Sequence, residues 1–585
     1  MTFFDSMTDK LRLNSVITKL IASFACISLI EIVSHNNNFN EAVFFNSIPL
    51  VNHLLGIALV FLTLMVLSYH RFYDMVEPFF VIFITLCLFF VTNCQAENIY
   101  YALISSAVMG GLIFYYTGRM KSFDLSKKVT ILLCTIFGTL FVLFVGGLTI
   151  LRYLNHWTPN FDFGIFSQMF YYMKETLIPY TTTERDRLLS HFAVHFSPIY
   201  YLILPIYMVF PSPATLLAVQ AIAIALGIIP LYKLGKHYNL RNWAITLLVG
   251  VYVLFPALIG GNFYYFHENK LLTVLLLWLF YFIEKERNIP TAIFAVLVLM
   301  VKEDAPIYVA FIGLYILLSR RGAIRGTSLL GGSVIYFLVV TKLMTQYGEG
   351  IMSNRYNNYI FDPKGGLLSV VVNIIKNPAY LFTQILTEEK LIFLIYMFVP
   401  LAMIPLAIKK PSRIILILPL VLINIMPNYI YQYNIGYQYT YGSSAFLFYL
   451  AIMNLGEISP PISKRLLLSA LAASMIFFAA THTDRINYVK SYIESREQIK
   501  AINEGLALIP KDKSVKACTF LVTPLSDRKV IYQYEYTKHT TEYVVLDLRY
   551  STSEYNINDY RNSRYDEIYF VEGTIAIFRL KEPVD

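Results

Sequence analysis

Charge is what this sequence has least of. Only 15% of its 585 residues are Asp, Glu, Lys or Arg, where a soluble globular domain carries about a quarter. That excludes a protein folded wholly in water. Disorder is excluded as well, because disordered chains need low hydrophobicity and high net charge, and 57% of these residues are hydrophobic. Cysteine is scarce: Cys26, Cys87, Cys94, Cys134 and Cys518 are scattered along the chain. None stands in a CxxC pair or beside a His at ligand spacing, so neither a zinc site nor a disulfide framework is indicated. No HExxH, GxGxxG or Walker word occurs. No internal repeat or low-complexity tract is visible, which withdraws support from a transporter built of inverted repeats. The basic stretch 1–19 precedes an apolar run without a small-residue cleavage site, and reads as the lead of a retained first helix.

What the chain has in abundance is long apolar runs. They lie at 16–34, 48–68, 76–94, 99–117, 129–150, 213–232, 243–261, 271–284, 289–301, 305–319, 327–344, 391–408, 414–430, 440–456 and 465–481. Set against a hydrocarbon core about 30 Å thick, these runs predict an α-helical polytopic membrane protein with about fifteen transmembrane segments. The net charge of +9 reads as the cationic collar of cytoplasmic loops. No basic cluster with interleaved aromatics points to nucleic acid. With Lys10, Arg12 and Lys19 placed in the cytoplasm, alternate loops carry Arg71; Arg119, Lys121, Lys127 and Lys128; Lys233, Lys236 and Arg241; and Lys285 and Arg287. The series continues through Arg320, Arg321 and Arg325; Lys409, Lys410 and Arg413; and Lys464 and Arg465, while 35–47, 95–98 and 431–439 hold no Lys or Arg. The positive-inside rule therefore predicts a multi-pass plasma-membrane protein with its N-terminus in the cytoplasm.

Two runs, 289–301 and 305–319, are too short to cross as straight helices, and both are flanked by basic residues. The pair is expected to turn back at Lys302, Glu303 and Asp304, charges tolerated only in a polar cavity. The run 197–211, interrupted by Pro, is expected to lie in the outer interface or to dip in and return. After 482 the composition shifts to an amphipathic helix at 486–508 and strand-like runs at 515–520, 529–534, 543–548, 567–572 and 574–580. Three regions follow: an N-terminal four-helix extension (1–128), a transmembrane core (129–481) with a large outer loop (151–212), and a small extracytoplasmic α/β domain (482–585). The sheet pattern has no nucleotide word, and no nucleotide is expected there.

This topology gathers four polar words on the outer face: Asn160-Phe161-Asp162-Phe163-Gly164, the loop His191 to Pro198, Phe266-His267-Glu268-Asn269-Lys270, and the Lys302-Glu303-Asp304 turn. Each has an ordinary reading. Asp162 is a loop carboxylate or cap. His191 and His195, at i, i+4, are interfacial histidines or a metal pair. His267 with Glu268 is an interfacial pair, and the charged turn neutralises itself. Their convergence, rather than any one of them, points to a site.

The stretches FDFGIF (161–166), HFSPIYYLILPIYMVFPSPATLLAVQAIAIALGIIPLYKL (195–234), FYYFHENKLL (263–272), KEDAP (302–306), YQYTYGSSAFLF (437–448) and TFLVTPLSDRKVIY (519–532) resemble a bacterial multi-spanning family known as domain of unknown function 2079. That family is grouped by similarity with the GT-C glycosyltransferases. The resemblance implies a GT-C-like core and a transferase that moves a hexosyl or pentosyl group from a polyprenyl-phosphate donor to a cell-envelope polysaccharide or glycolipid acceptor. Transfer would occur outside the membrane, with inversion. It implies Asp162 as the general base and His191, His195, His267, Glu268, Lys302, Glu303, Asp304 and Tyr439 as donor-binding residues. Lys302 is the first candidate for the phosphate, with Arg185 and Arg187 behind it. Some GT-C enzymes use a divalent cation (Mg or Mn) and others do not, and the sequence leaves the cofactor open. The rival readings are a transporter or flippase of a lipid-linked envelope precursor, and a scaffold or sensor whose outer domain binds a partner.

Overall fold

The computed structural model describes residues 13–35, 39–70, 72–96, 98–118, 124–350, 353–362, 365–550, 557–561 and 563–581. Of the basic residues used to orient the chain, Lys10, Arg12, Arg71, Arg119 and Lys121 lie outside these.

Apolar composition and good caps set the long helices. Asn98 accepts from the backbone N–H groups of Tyr100 and Tyr101, Ser126 from that of Val129, and Ser212 from that of Ala214, satisfying donors that a helix start leaves free. Among the described residues, eight helices are long and apolar enough to cross a membrane: Ser15–His35, Leu50–Leu67, Tyr73–Ala96, Ile99–Thr117, Lys127–Leu154, Pro213–His237, Ala323–Tyr347 and Pro460–Glu494. Asn242–Val253 and Pro256–Phe263 meet at 44° and make a ninth if counted as one broken span.

Among the described residues, fewer helices meet this length than the roughly fifteen crossings expected from the apolar runs. Leu271–Glu284, Asn288–Leu299, Pro306–Leu318 and Tyr441–Leu455 have 14, 12, 13 and 15 residues, short of the roughly 20 a straight crossing needs. The runs 391–408 and 414–430 are not continuous helices. Pro400, Pro405, Pro419 and Pro427 fall in them, and each lacks the backbone donor a helix interior needs. The backbone there breaks into short tight turns, with Ala402 and Met403 in the left-handed region. The stretch 197–211 forms a ten-residue helix, Tyr200–Val209. Tyr200, Ile203, Leu204 and Tyr207 are buried, while Leu202, Ile206 and Val209 are exposed.

Three of the short helices pack side by side with their N-terminal ends together. Thr273 Oγ1 donates to the Tyr441 carbonyl at 2.8 Å, and the Phe280 and Tyr449 rings stack at 4.0 Å. Gly442 faces the Tyr308 ring so closely that a Cβ there would collide with it. The helix starts and the turns preceding them thus share one end of the bundle.

A two-residue antiparallel ladder, β1 (Tyr180–Thr181) and β2 (Leu189–Ser190), lies in the 151–212 loop. The C-terminal region opens with two amphipathic helices, Asn487–Glu494 and Arg496–Ala507. A five-stranded sheet follows, made of β3 (Val515–Ala517), β4 (Ile531–Gln533), β5 (Tyr543–Asp547), β6 (Tyr565–Val571) and β7 (Ile575–Leu580). Its order is β4-β3-β5-β7-β6, parallel across β4, β3 and β5 and antiparallel from β5 onwards. β5 is buried along its whole length, as a strand covered on both faces must be.

Candidate functional site

Asp162 stands in a widened turn, Asn160–Gly164, between the Lys127–Leu154 span and the helix Ile165–Thr176. His267 Nε2 lies 2.9 Å from Asp162 Oδ2, and the Tyr264 hydroxyl donates to the same oxygen at 3.0 Å. Oδ1 accepts no hydrogen bond from the described residues. The Asp162 side chain is 28% exposed, whereas that of His267 is 6% exposed. Burial alone would raise the carboxyl. The His267 hydrogen bond and charge, with smaller contributions from Tyr264 and Lys302, outweigh it and hold Asp162 below its usual value.

Behind Asp162 is a chain of buried charge. Lys302 Nζ and Glu268 Oε1 form an ion pair at 2.9 Å, with side chains 3% and 1% exposed. The approach is off the line of a hydrogen bond, and Glu268 Oε1 accepts none. Burial favours the neutral form of both groups, yet each other's charge wins, so Glu268 lies well below and Lys302 above its ordinary value. Glu268 Oε2 accepts from the Tyr200 hydroxyl at 2.8 Å and stands 3.7 Å from His267 Nδ1.

The two loop histidines separate. His191 Nδ1 meets Glu184 Oε2 at 2.9 Å, while His195 Nδ1 meets Glu303 Oε1 at 2.8 Å. Each imidazole is paired with a different carboxylate, the two ring centroids lying 5.7 Å apart. The Phe196 N–H donates to Glu303 Oε2 at 3.1 Å, tying the loop to the Lys302–Asp304 turn. Burial, then the Glu303 carboxylate, push Asp304 up to about 6, and its buried Oδ1 has no hydrogen-bond partner among the described residues. Arg355, on the turn Ser353–Tyr359, lies near Asp304. It donates to the Tyr439 hydroxyl at 3.2 Å and stacks over the Tyr429 and Tyr439 rings at 4.6 and 5.1 Å.

All nine residues singled out in the sequence thus fall in one linked neighbourhood at the starts of Leu271–Glu284, Pro306–Leu318 and Tyr441–Leu455. Helix N-terminal ends carry partial positive charge, which adds to Lys302 and Arg355. Arg185 and Arg187 pair with Glu349 at 2.8 and 3.4 Å. Sequence reasoning missed Tyr200, Tyr264, Glu184 and Arg355 as members of the network. Tyr200 and Tyr264 lie inside stretches whose aromatic wealth hides any single ring.

The backbone around Tyr264 is held firmly. Tyr265 has φ +61°, a left-handed conformation that costs an L-residue about 1–2 kcal/mol. Arg152 pins it by donating to the Phe263 carbonyl at 2.9 Å and the Tyr265 hydroxyl at 2.6 Å. Beside Tyr264 opens a cleft of about 680 Å³, whose lining includes Arg152, Tyr433, Tyr437, His482 and Arg485.

The C-terminal domain braces the Asp162 turn from outside. Asn160 donates from its backbone to Thr519 Oγ1 at 3.1 Å and from its side chain to Gln533 Oε1 at 2.9 Å. Phe161 meets Tyr536 edge-on at 6.0 Å. Further back, Gln168 donates to the carbonyls of Arg528 and Lys529 at 3.2 Å, and Arg549 to those of Asn155 and His156. Among the described residues, no group of three His, Cys, Asp or Glu side chains is arranged to hold a metal ion. Glu268 and Glu303 are already engaged by Lys302 and His195. The donor set does not fit a divalent cation, and no step is routed through one.

A family model described as predicted membrane protein (DUF2079) matches residues 152–569. No curated protein matches the chain.

Proposed function

The chain belongs to the DUF2079 family of predicted membrane proteins, and from that premise we propose that it is a membrane glycosyltransferase. Its donor is a sugar carried on polyprenyl phosphate, and its acceptor is a hydroxyl of a cell-envelope polysaccharide or glycolipid on the outer face. The observation that carries the reading is the asymmetry of the Asp162 carboxylate. Oδ2 is fixed by His267 and Tyr264, while Oδ1 is unengaged on a side chain 28% exposed, at the edge of an otherwise closed network of charge. A general base needs this combination of fixed orientation, ionised state and access.

In the proposed step the acceptor oxygen attacks the anomeric carbon and its proton passes to Asp162 Oδ1. The bond from that carbon to the phosphate oxygen breaks, the electron pair leaves with the phosphate, and the configuration inverts. Charge growing on the phosphate is met by Lys302, by Arg355 beside Tyr439, and by the three helix starts. His195 and Glu303 hold the Lys302 turn against the 151–212 loop, and Glu184 fixes His191 within that loop. The cleft beside Tyr264, with tyrosine faces and two guanidinium groups, offers room for the acceptor. A flippase would instead want ionisable groups deep within several spans, whereas this cluster sits at helix starts.

The test is the envelope glycan composition of a deletion strain complemented with wild type or with Asp162→Asn. A sugar missing from the deletion strain, restored by wild type and not by the variant, supports the reading. Identical glycans in all three strains would defeat it.

A further inference from the structure

A second cavity shares no lining residue with the Asp162 network. It has a volume of about 1010 Å³ and lies between the spans Tyr73–Ala96 and Ile99–Thr117 on one side and Asn242–Val253 and Pro460–Glu494 on the other. Its walls are mostly apolar, with Phe79, Phe83, Leu247 and Met475 among them. One end is different. Arg241, Lys464 and Arg465 line it, and no Asp or Glu does. The Arg465 guanidinium lies over the Phe114 ring at 5.7 Å, and its tip is close enough to Gly118 that an added Cβ would sit 3.1 Å away. Arg241 makes no hydrogen bond or ion pair through its side chain to the described residues.

We infer that this cavity binds one anionic phospholipid, its phosphate head at Arg241, Lys464 and Arg465 and its acyl chains along the apolar wall. The cavity opens between spans, where the surrounding medium is hydrocarbon, so its occupant has an apolar body. Three cations in a lining that, among the described residues, holds no Asp or Glu select a negative head. From Pro460 to Met475 the wall advances about 22 Å along a helix, more than half of a hydrocarbon core about 30 Å thick, which matches the length of a chain within one leaflet. The charge bias of the sequence puts this end in the cytoplasm, the leaflet in which basic residues bind acidic lipid. The walls Tyr73–Ala96 and Ile99–Thr117 lie outside the family match at 152–569. The N-terminal extension thus completes a lipid site against the family core. This inference does not depend on the proposed reaction.

The experiment uses the full chain in detergent, incubated with equal amounts of dioleoyl phosphatidylglycerol and dioleoyl phosphatidylcholine, with retained lipid counted by native mass spectrometry. Wild type is expected to retain the glycerol lipid about tenfold over the choline lipid, and Arg241→Gln with Arg465→Gln to abolish that preference. Met475→Trp, which fills the apolar wall, is expected to expel both lipids. Equal retention of the two lipids by wild type, no retained lipid, a protein dimer holding none, or an unchanged preference in the Arg241/Arg465 variant would each overturn the inference. The wild-type competition stands even if a variant fails to fold.

Discussion

His267 joins the accessible carboxylate of the site to its buried one. Its Nε2 is 2.9 Å from Asp162 Oδ2 and its Nδ1 is 3.7 Å from Glu268 Oε2. Through that ring, the ion pair of Glu268 with Lys302 is coupled to the one group that the proposed reaction asks to accept a proton.

The pH dependence of transfer follows from this coupling. Asp162 lies below its usual value because His267 outweighs the effect of burial, so the base is ionised across the neutral range and is lost only as pH falls through that lowered value. With His267→Ala, burial acts unopposed by the imidazole and the Asp162 value rises. The acid limb of the rate profile should move to higher pH. Rates of wild type and variant measured from acid to neutral pH check this, and superimposable acid limbs would contradict it.

Lys302 and Glu268 should behave as a unit. Lys302→Met takes from a carboxylate with 1% exposure its nearest opposite charge, at a cost of about 3–5 kcal/mol. Lys302→Met together with Glu268→Leu should recover much of the stability and none of the transfer. Thermal unfolding of the two variants in detergent, read beside transfer, separates the structural part of the pair from its chemical part.

The C-terminal domain is expected to matter through Asn160. That side chain is fully buried and donates to Gln533 Oε1. Asn160→Ala strands a buried acceptor at a cost of about 1–3 kcal/mol. It should loosen the Asp162 turn, with faster proteolysis between the core and the C-terminal domain and slower transfer. Lys538→Ala, on the exposed surface of the same domain, should change neither.

Sidedness has its own test. The native cysteines are buried or half-buried, so single exposed cysteines can be read above them. Lys538→Cys should react with a membrane-impermeant maleimide in intact cells, and Arg320→Cys only after permeabilisation. The reverse pattern, or labelling of both in intact cells, would contradict the orientation argued from charge.

Much of this site was legible because polar words stand out against an apolar background. Asp162, the His267–Glu268 pair and the Lys302–Asp304 turn are charges placed between hydrophobic runs, where burial without partners would be costly. Arg355 was not legible. It lies on a short turn, Ser353–Tyr359, and only folding brings it to Tyr439. The strands of the C-terminal sheet were plain from their β-branched and aromatic runs. Helices of full spanning length are fewer than the apolar runs among the described residues, because a sum of hydropathy does not register the breaks that Pro405 and Pro419 impose on the backbone. Nor does it distinguish a 13-residue helix packed among others, such as Pro306–Leu318, from a full span.

The central claim is that Asp162 takes the acceptor's proton. The measurement that bears on it most directly is transfer of a labelled sugar from polyprenyl phosphate to envelope acceptor, in membranes of a deletion strain carrying either wild type or Asp162→Asn at equal abundance and equal thermal stability. A loss of about 10²–10⁴-fold in the variant is the predicted result. Transfer by Asp162→Asn at the wild-type rate would contradict it.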